Sequence, residues 1–235
     1  MKKKIVLWLS LSLVLFSACR RPANVVQVGP PGPQGPAGSG YAEAVIQPVP
    51  GESRGRGTMI CSSRGKQGRL PSLSLGLEKN GNINRLLFYF DLAQAGLPAQ
   101  ATILHAILIL YPNTTFCGPG RITAHVYPVT KAWTEEDATW IYADLAGRWD
   151  NDGGDYLAAL PLGGFTAEGM NLQTAPCLEV HLDPTTVQNW FNGYPNYGLL
   201  IKADMEAGGS NMVTFFGREY SLNPSKRPQL KIIYK

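Results

Sequence analysis

The chain has 235 residues, a formal net charge of +4 and four cysteines. Five of the 21 bases (Lys2, Lys3, Lys4, Arg20 and Arg21) precede residue 22, and all 17 acids lie beyond residue 40, so the remainder carries a net charge of −1. A near-neutral body argues against generic nucleic-acid binding, which needs many phosphate contacts, and the roughly 195 residues after the first 40 suit one β-sandwich domain.

The N-terminus carries a processing signal. Residues 2–4 form a basic n-region, 5–16 an apolar h-region, and Ser17-Ala18-Cys19 a small-residue site that ends in cysteine. The apolar stretch of 12 residues is too short to span a bilayer as a permanent helix, so it reads as a signal peptide. Small residues before a Cys resemble the bacterial lipobox, here with Phe16 where Leu is commonest. That resemblance implies removal of residues 1–18 and acylation of Cys19, an anchor to the membrane and not a span. Arg20, where inner-membrane retention would use Asp, points to the outer membrane and the cell surface. Residues 19–40 are then a linker in which glycine recurs at every third place from Gly29 to Gly38, the spacing of collagen. Four triplets are few for a triple helix, and an extended polyproline-II stalk fits the same residues.

The domain is expected over 41–235. A strand at 42–47 ends at Pro48 and Pro50; a short strand follows at 58–62, and 72–77 alternates and turns at Asn80-Gly81, a strong hairpin signal. In 84–92, Leu86, Phe88, Phe90 and Leu92 share one face, with Arg85, Leu87, Tyr89 and Asp91 on the other. The run 102–111 is apolar on both faces and reads as a central strand. Strands at 121–127, 177–182, 197–202, 212–216 and 229–234 complete the set, with a long Gly-rich, acidic loop over 142–176. One short helix is expected after Asp183 as cap, with Pro184 at its first position and Gly193 as its stop. Many short strands with Gly/Pro-rich turns predict an all-β, antiparallel jelly-roll sandwich.

Candidate chemistry is sparse. Gly51-Glu52-Ser53-Arg54-Gly55 spells a nucleophile elbow but lacks the strand before and the helix after that the motif needs. Glu135, Glu136 and Asp137, or Asp150, Asp152 and Asp155, suit a solvated loop better than a glycosidase pair. Asp150, Asp152 and Asp155 are a candidate Ca²⁺ set, although the loop lacks the closing Glu of an EF-hand. His105, His125 and His181 occur singly in strands, which argues against zinc. Arg54, Arg56, Arg64, Lys66 and Arg69 form a stretch without an acid, and they either bind an acidic ligand or pair with the acidic loops. Trp133, Trp140 and Trp190 read as core; Trp149, Tyr156, Tyr194 and Tyr197, in or beside loops, are the stacking candidates.

An ordered set of motifs resembles the DNRLRE (disaggregatase-related) domain family over residues 42–235. It comprises Arg85-Leu86-Leu87-Phe88-Tyr89-Phe90-Asp91, then Lys131-Ala132-Trp133-Thr134-Glu135, Ala138-Thr139-Trp140 and Gly153-Gly154-Asp155-Tyr156, and finally Tyr197-Gly198-Leu199-Leu200-Ile201 and Arg227-Pro228-Gln229-Leu230. The resemblance implies a jelly-roll sandwich on a secreted or surface protein. It also implies a carbohydrate-binding module of an alginate-recognising type; no individual ligand residue transfers. Ile107 and Ile109 depart from the family's more polar outer face and mark a possible contact surface. The same architecture implies that 102–111 runs antiparallel to 177–182, which would bring Cys117 to Cys177 and leave Cys61 unpaired. The expected protein is thus a non-catalytic outer-membrane lipoprotein that binds polysaccharide or matrix, with an acidic, uronate-type polymer as a candidate ligand, and no nucleic acid. A structural or protein-adhesion module is the alternative, and a polysaccharide hydrolase or lyase is the third reading.

Overall fold

The computed structural model describes residues 40–113, 121–168 and 176–235. The expected signal peptide, Cys19, the glycine triplets and Cys117 lie outside the described residues. Eleven strands and one helix form two antiparallel sheets packed face to face. The strands are β1 (Ala42–Ile46), β2 (Gly55–Cys61), β3 (Ser72–Leu77), β4 (Ile83–Phe90), β5 (Ile103–Leu110), β6 (Arg121–Pro128), β7 (Gly163–Glu168), β8 (Leu178–Leu182), β9 (Leu199–Ala203), β10 (Asn211–Phe216) and β11 (Gln229–Tyr234). The smaller sheet runs β1-β11-β5-β8; the larger runs β10-β3-β4-β9-β6-β7, with β2 on the free side of β4. With β2, β3 and β10 set aside, the order is the nested pairing of a jelly roll, first strand beside last and inner pairs folded within.

Side-chain alternation explains the layering. Leu86, Phe88 and Phe90 of β4 enter the core between the sheets with Leu108 and Leu110 of β5, Ile122 and Val126 of β6, and Phe215 of β10. Phe88 and Phe215 are fully buried, and truncating either to Ala would cost about 3–5 kcal/mol. β5 is central, flanked by β11 and β8. Ile107 and Ile109 on its outer side are buried although neither belongs to the core between the sheets. Helix α1 (Pro184–Phe191) is capped by Asp183, which accepts from the Thr185 and Thr186 amides, and Gln188 of α1 accepts from the Ile103 amide at 2.7 Å.

One expectation changes. The stretch expected as one long loop contains β7, an edge strand paired to β6 through Ala124↔Phe165 and its neighbours. Its residues Gly163-Gly164-Phe165-Thr166-Ala167-Glu168 bury only Ala167 fully, so they lack the apolar alternation that announces a strand. β8 pairs antiparallel to β5 with Leu110↔Leu178, as expected, which sets Cys177 beside Tyr111. Among the described residues, however, there is no disulfide, and Cys177 and the buried Cys61 are free thiols. The proposed partner Cys117 lies outside the described residues.

Candidate functional site

The outer face of the larger sheet is half covered. Residues 129–158 fold back over it as a cap with its own core, in which Val129, Trp133, Ala138, Ala143 and Trp149 pack on Ile60 of β2, Leu87 of β4 and Leu200 of β9. The indole N–H of Trp133 donates to Tyr197 O at 2.8 Å and that of Trp149 to Thr139 O at 2.9 Å, so neither ring buries an unpaired donor. Asp155 is buried and holds the 150–155 turn by accepting from the Asp150 and Asn151 amides. Gly153 has φ +90, and a Cβ there would come within 2.5 Å of Arg85 Nη1, so the turn admits only glycine at that place.

Three arginines pin the cap and its surroundings to the sheet. Arg85 donates from Nε and Nη2 to both carboxylate oxygens of Glu206 at 2.8 and 2.7 Å, and from Nη1 to Gly153 O, while lying 4.7 Å from the Trp140 ring. Lys202 meets the same Glu206 at 3.4 Å. Arg218 pairs with Glu135 at 2.6 Å and donates to Gly55 O, and Glu135 also accepts from the Gly57 amide. Burial pushes the Glu135 carboxyl up to about 6, against the pull of the Gly57 amide and Arg218. Arg56 lies between the Tyr89 and Trp133 rings, 4.4 and 4.7 Å from their centroids, where burial pulls its pKa below the ordinary value.

The structure separates the residues that the sequence grouped. Of the basic stretch, Arg54 pairs with Glu52, Arg64 with Glu78, Lys66 with Asp137 and Arg69 with Glu136. Lys66 and Arg69 thus meet the acidic loop across the fold, Arg54 and Arg64 pair with acids near them in sequence, and Arg56 alone of the five has stacked rings in place of a carboxylate. Trp149, expected as a stacking platform, is 4% exposed and belongs to the cap's core; the Asp/Gly composition around it hid a long-range contact. Tyr197 is half-buried against the same core, and Tyr194 is exposed in the loop before β9. The candidate Ca²⁺ carboxylates face other partners: Asp150 takes Lys131 at 2.6 Å, Asp152 lies 4.0 Å from Arg148, and Asp155 is turned inward onto amides. Among the described residues, no group of three or more His, Cys, Asp or Glu side chains could hold a metal ion. Ser53, in the apparent elbow, sits in an exposed turn that leads into β2 and accepts from Gln94.

Where the cap ends, a cleft of about 290 Å³ opens, lined by Arg85, Asn151, Asp152, Gly154, Tyr156 and Ala158. Of the stacking candidates, Tyr156 alone lines it. Its ring stands 5.0 Å from that of Tyr127 on β6, which in turn is 6.3 Å from His125. His125 Nδ1 lies 2.7 Å from Asp204 Oδ1. Sequence reasoning missed Arg85, Tyr127, Lys202 and Glu206 as site residues. The outward parity of Arg85 on β4, Tyr127 on β6 and Lys202 on β9 is readable, but the adjacency of those strands and of Glu206 beyond β9 is not. The chain matches no protein-family model, and no curated protein matches it.

Proposed function

We propose that this domain is a non-catalytic polysaccharide-binding module, held at the outer membrane through acylated Cys19 and the Gly/Pro linker. The observation that carries the reading is the cleft at Tyr156: an aromatic ring set among guanidinium, amide and carboxylate groups on a rigid sheet. Sugars offer such a site apolar C–H faces for the ring and hydroxyls for the polar groups. The resemblance to DNRLRE domains points the same way. Charges at the cleft largely cancel, since Arg85 and Lys202 are set against Glu206 and the lining Asp152. The ligand is accordingly a hydroxyl-rich, neutral polymer in the first instance. A uronate polymer would have to displace Glu52, Glu78, Asp137 and Glu136 from the basic stretch.

Hydrolysis is disfavoured by where the acids sit. A glycosidase needs a carboxylic acid held protonated beside the sugar. The carboxyl pushed up in this way, Glu135, is sealed beneath the cap against Arg218 and the Gly57 amide. The test is a glycan array of neutral and uronate polymers, followed by titration of any hit with Tyr156→Ala. A loss of about tenfold is expected, equivalent to about 1.4 kcal/mol of stacking. Binding unmoved by Tyr156→Ala would overturn the assignment of the cleft. A blank array would overturn polysaccharide binding itself.

A further inference from the structure

A second hollow, about 410 Å³, opens on the same face of the larger sheet, lined by Arg121, Thr123, Asp204, Met205 and Asn211. Between the two hollows lie the outward positions of β6, residues 123, 125 and 127, flanked by the exposed Gly164 and Thr166 of β7. The His125 ring lies against Gly164, where an added Cβ would come within 2.7 Å of it. Glycine at 164 thus lets the imidazole lie low on the sheet instead of standing up from it. From Tyr156 through Tyr127 and His125 to Asp204 the contacts are continuous, at 5.0, 6.3 and 2.7 Å. Arg121 to Tyr127 along β6 is a run of about 20 Å at the rise of a strand.

We propose that the two hollows and the strip between them are one groove that takes an internal stretch of a linear, neutral polysaccharide, with Tyr156 at one end and Asn211 at the other. This rests on the reading that the Tyr156 cleft binds glycan. Three features support an extended ligand over a single sugar. Polar and aromatic groups recur along the whole strip and not at one end of it. Their charges balance, Arg85, Lys202 and Arg121 against Glu206, Asp204 and Glu168, and Arg121 faces Glu168 in register. That leaves hydrogen-bonding capacity without a net charge to select ions. Finally, Asn211 at the start of β10 lines the second hollow, so a side chain with an amide ends the strip on the side away from Tyr156.

The experiment uses the mature chain and three probe series, cello-, manno- and xylo-oligosaccharides from disaccharide to octasaccharide, by titration calorimetry. For the series that binds, affinity is expected to rise by at least about tenfold between disaccharide and hexasaccharide and then level off. Asn211→Ala with Arg121→Ala should cost the hexasaccharide about tenfold and leave the disaccharide unchanged, whereas Tyr156→Ala should weaken both. Gly164→Ala, which lifts the His125 ring into the strip, should also weaken only the longer chains. Unchanged melting curves will confirm that these surface variants fold. Length-independent binding that is lost with Tyr156→Ala would keep the glycan reading and overturn the groove. Hexasaccharide binding indifferent to Asn211→Ala with Arg121→Ala would overturn it too. Failure of every probe at every length would overturn both.

Discussion

Glu135 and Arg218 meet at 2.6 Å where their side chains are only 8% and 12% exposed, and this pair ties the cap to the turn after β10. The Gly57 amide of β2 joins the same carboxylate at 2.7 Å. Burying a charged pair is costly, and removing one partner leaves the other stranded.

The first prediction concerns pH. Because the folded Glu135 carboxyl is raised from 4.5 to about 6, the folded state takes up its proton sooner than the unfolded chain does. The stabilisation linked to that proton is fully present below pH 4.5 and lost as pH rises through 6. Glu135→Gln keeps an acceptor for the Gly57 amide and cannot titrate. Between pH 7 and 4.5 the wild type should therefore gain about 2 kcal/mol relative to this variant in urea unfolding. A difference that is flat across this range would show that the carboxyl titrates as in water.

A second prediction separates buried from exposed ion pairs. Arg85 and Glu206 are 10% and 14% exposed and joined by two hydrogen bonds, with Gly153 O on the remaining side of the guanidinium. Glu206→Ala should cost about 3 kcal/mol and open the cleft end of the cap. Arg69 and Glu136, by contrast, are 78% and 62% exposed, so Arg69→Ser should change stability by no more than about 0.5 kcal/mol. Equal costs in the two variants would contradict this account.

These pairs also mark how much the sequence could disclose. The alternation of β4, the cap of α1 and the hairpin at Asn80-Gly81 are local, and each appears where the pattern placed it. Two partners of the basic stretch are not local: Lys66 finds Asp137 71 positions away and Arg69 finds Glu136 67 positions away. Trp149 was taken for a loop aromatic because its neighbours are acids and glycines. What buries it is a shared core with Leu87 and Leu200, contacts that depend on strand order. The same limit hid the cleft, which joins Arg85 of β4 to residues of the cap.

A third prediction concerns the thiols. Cys61 is wholly buried within β2, while Cys177 is partly exposed, and burial pushes its thiol above the ordinary value. Native alkylation with iodoacetamide should therefore mark Cys177 slowly and Cys61 only after unfolding. Non-reducing peptide maps will show whether Cys177 joins Cys117. A native label on Cys61 would contradict its burial.

The last prediction concerns Arg56, whose place in the basic stretch conceals a different environment. Arg54, Lys66 and Arg69 extend into water and hold their acids through side chains that are 46%, 53% and 78% exposed. Such pairs contribute little, because solvent screens them and ordering two long side chains costs entropy. Arg56 instead stacks between the Tyr89 and Trp133 rings and fills the gap between β2 and the cap. Its removal loses a cation–π contact on two faces and the packing of its apolar stem. The triple variant Arg54→Ser, Lys66→Ser, Arg69→Ser should stay within about 1 kcal/mol of the wild type, while Arg56→Ser alone should cost about 2 kcal/mol. Added salt should narrow the first difference and leave the second unchanged, since partly buried charges are screened less. If the triple variant proves the more damaging, the exposed pairs hold the cap and the stacked arginine does not.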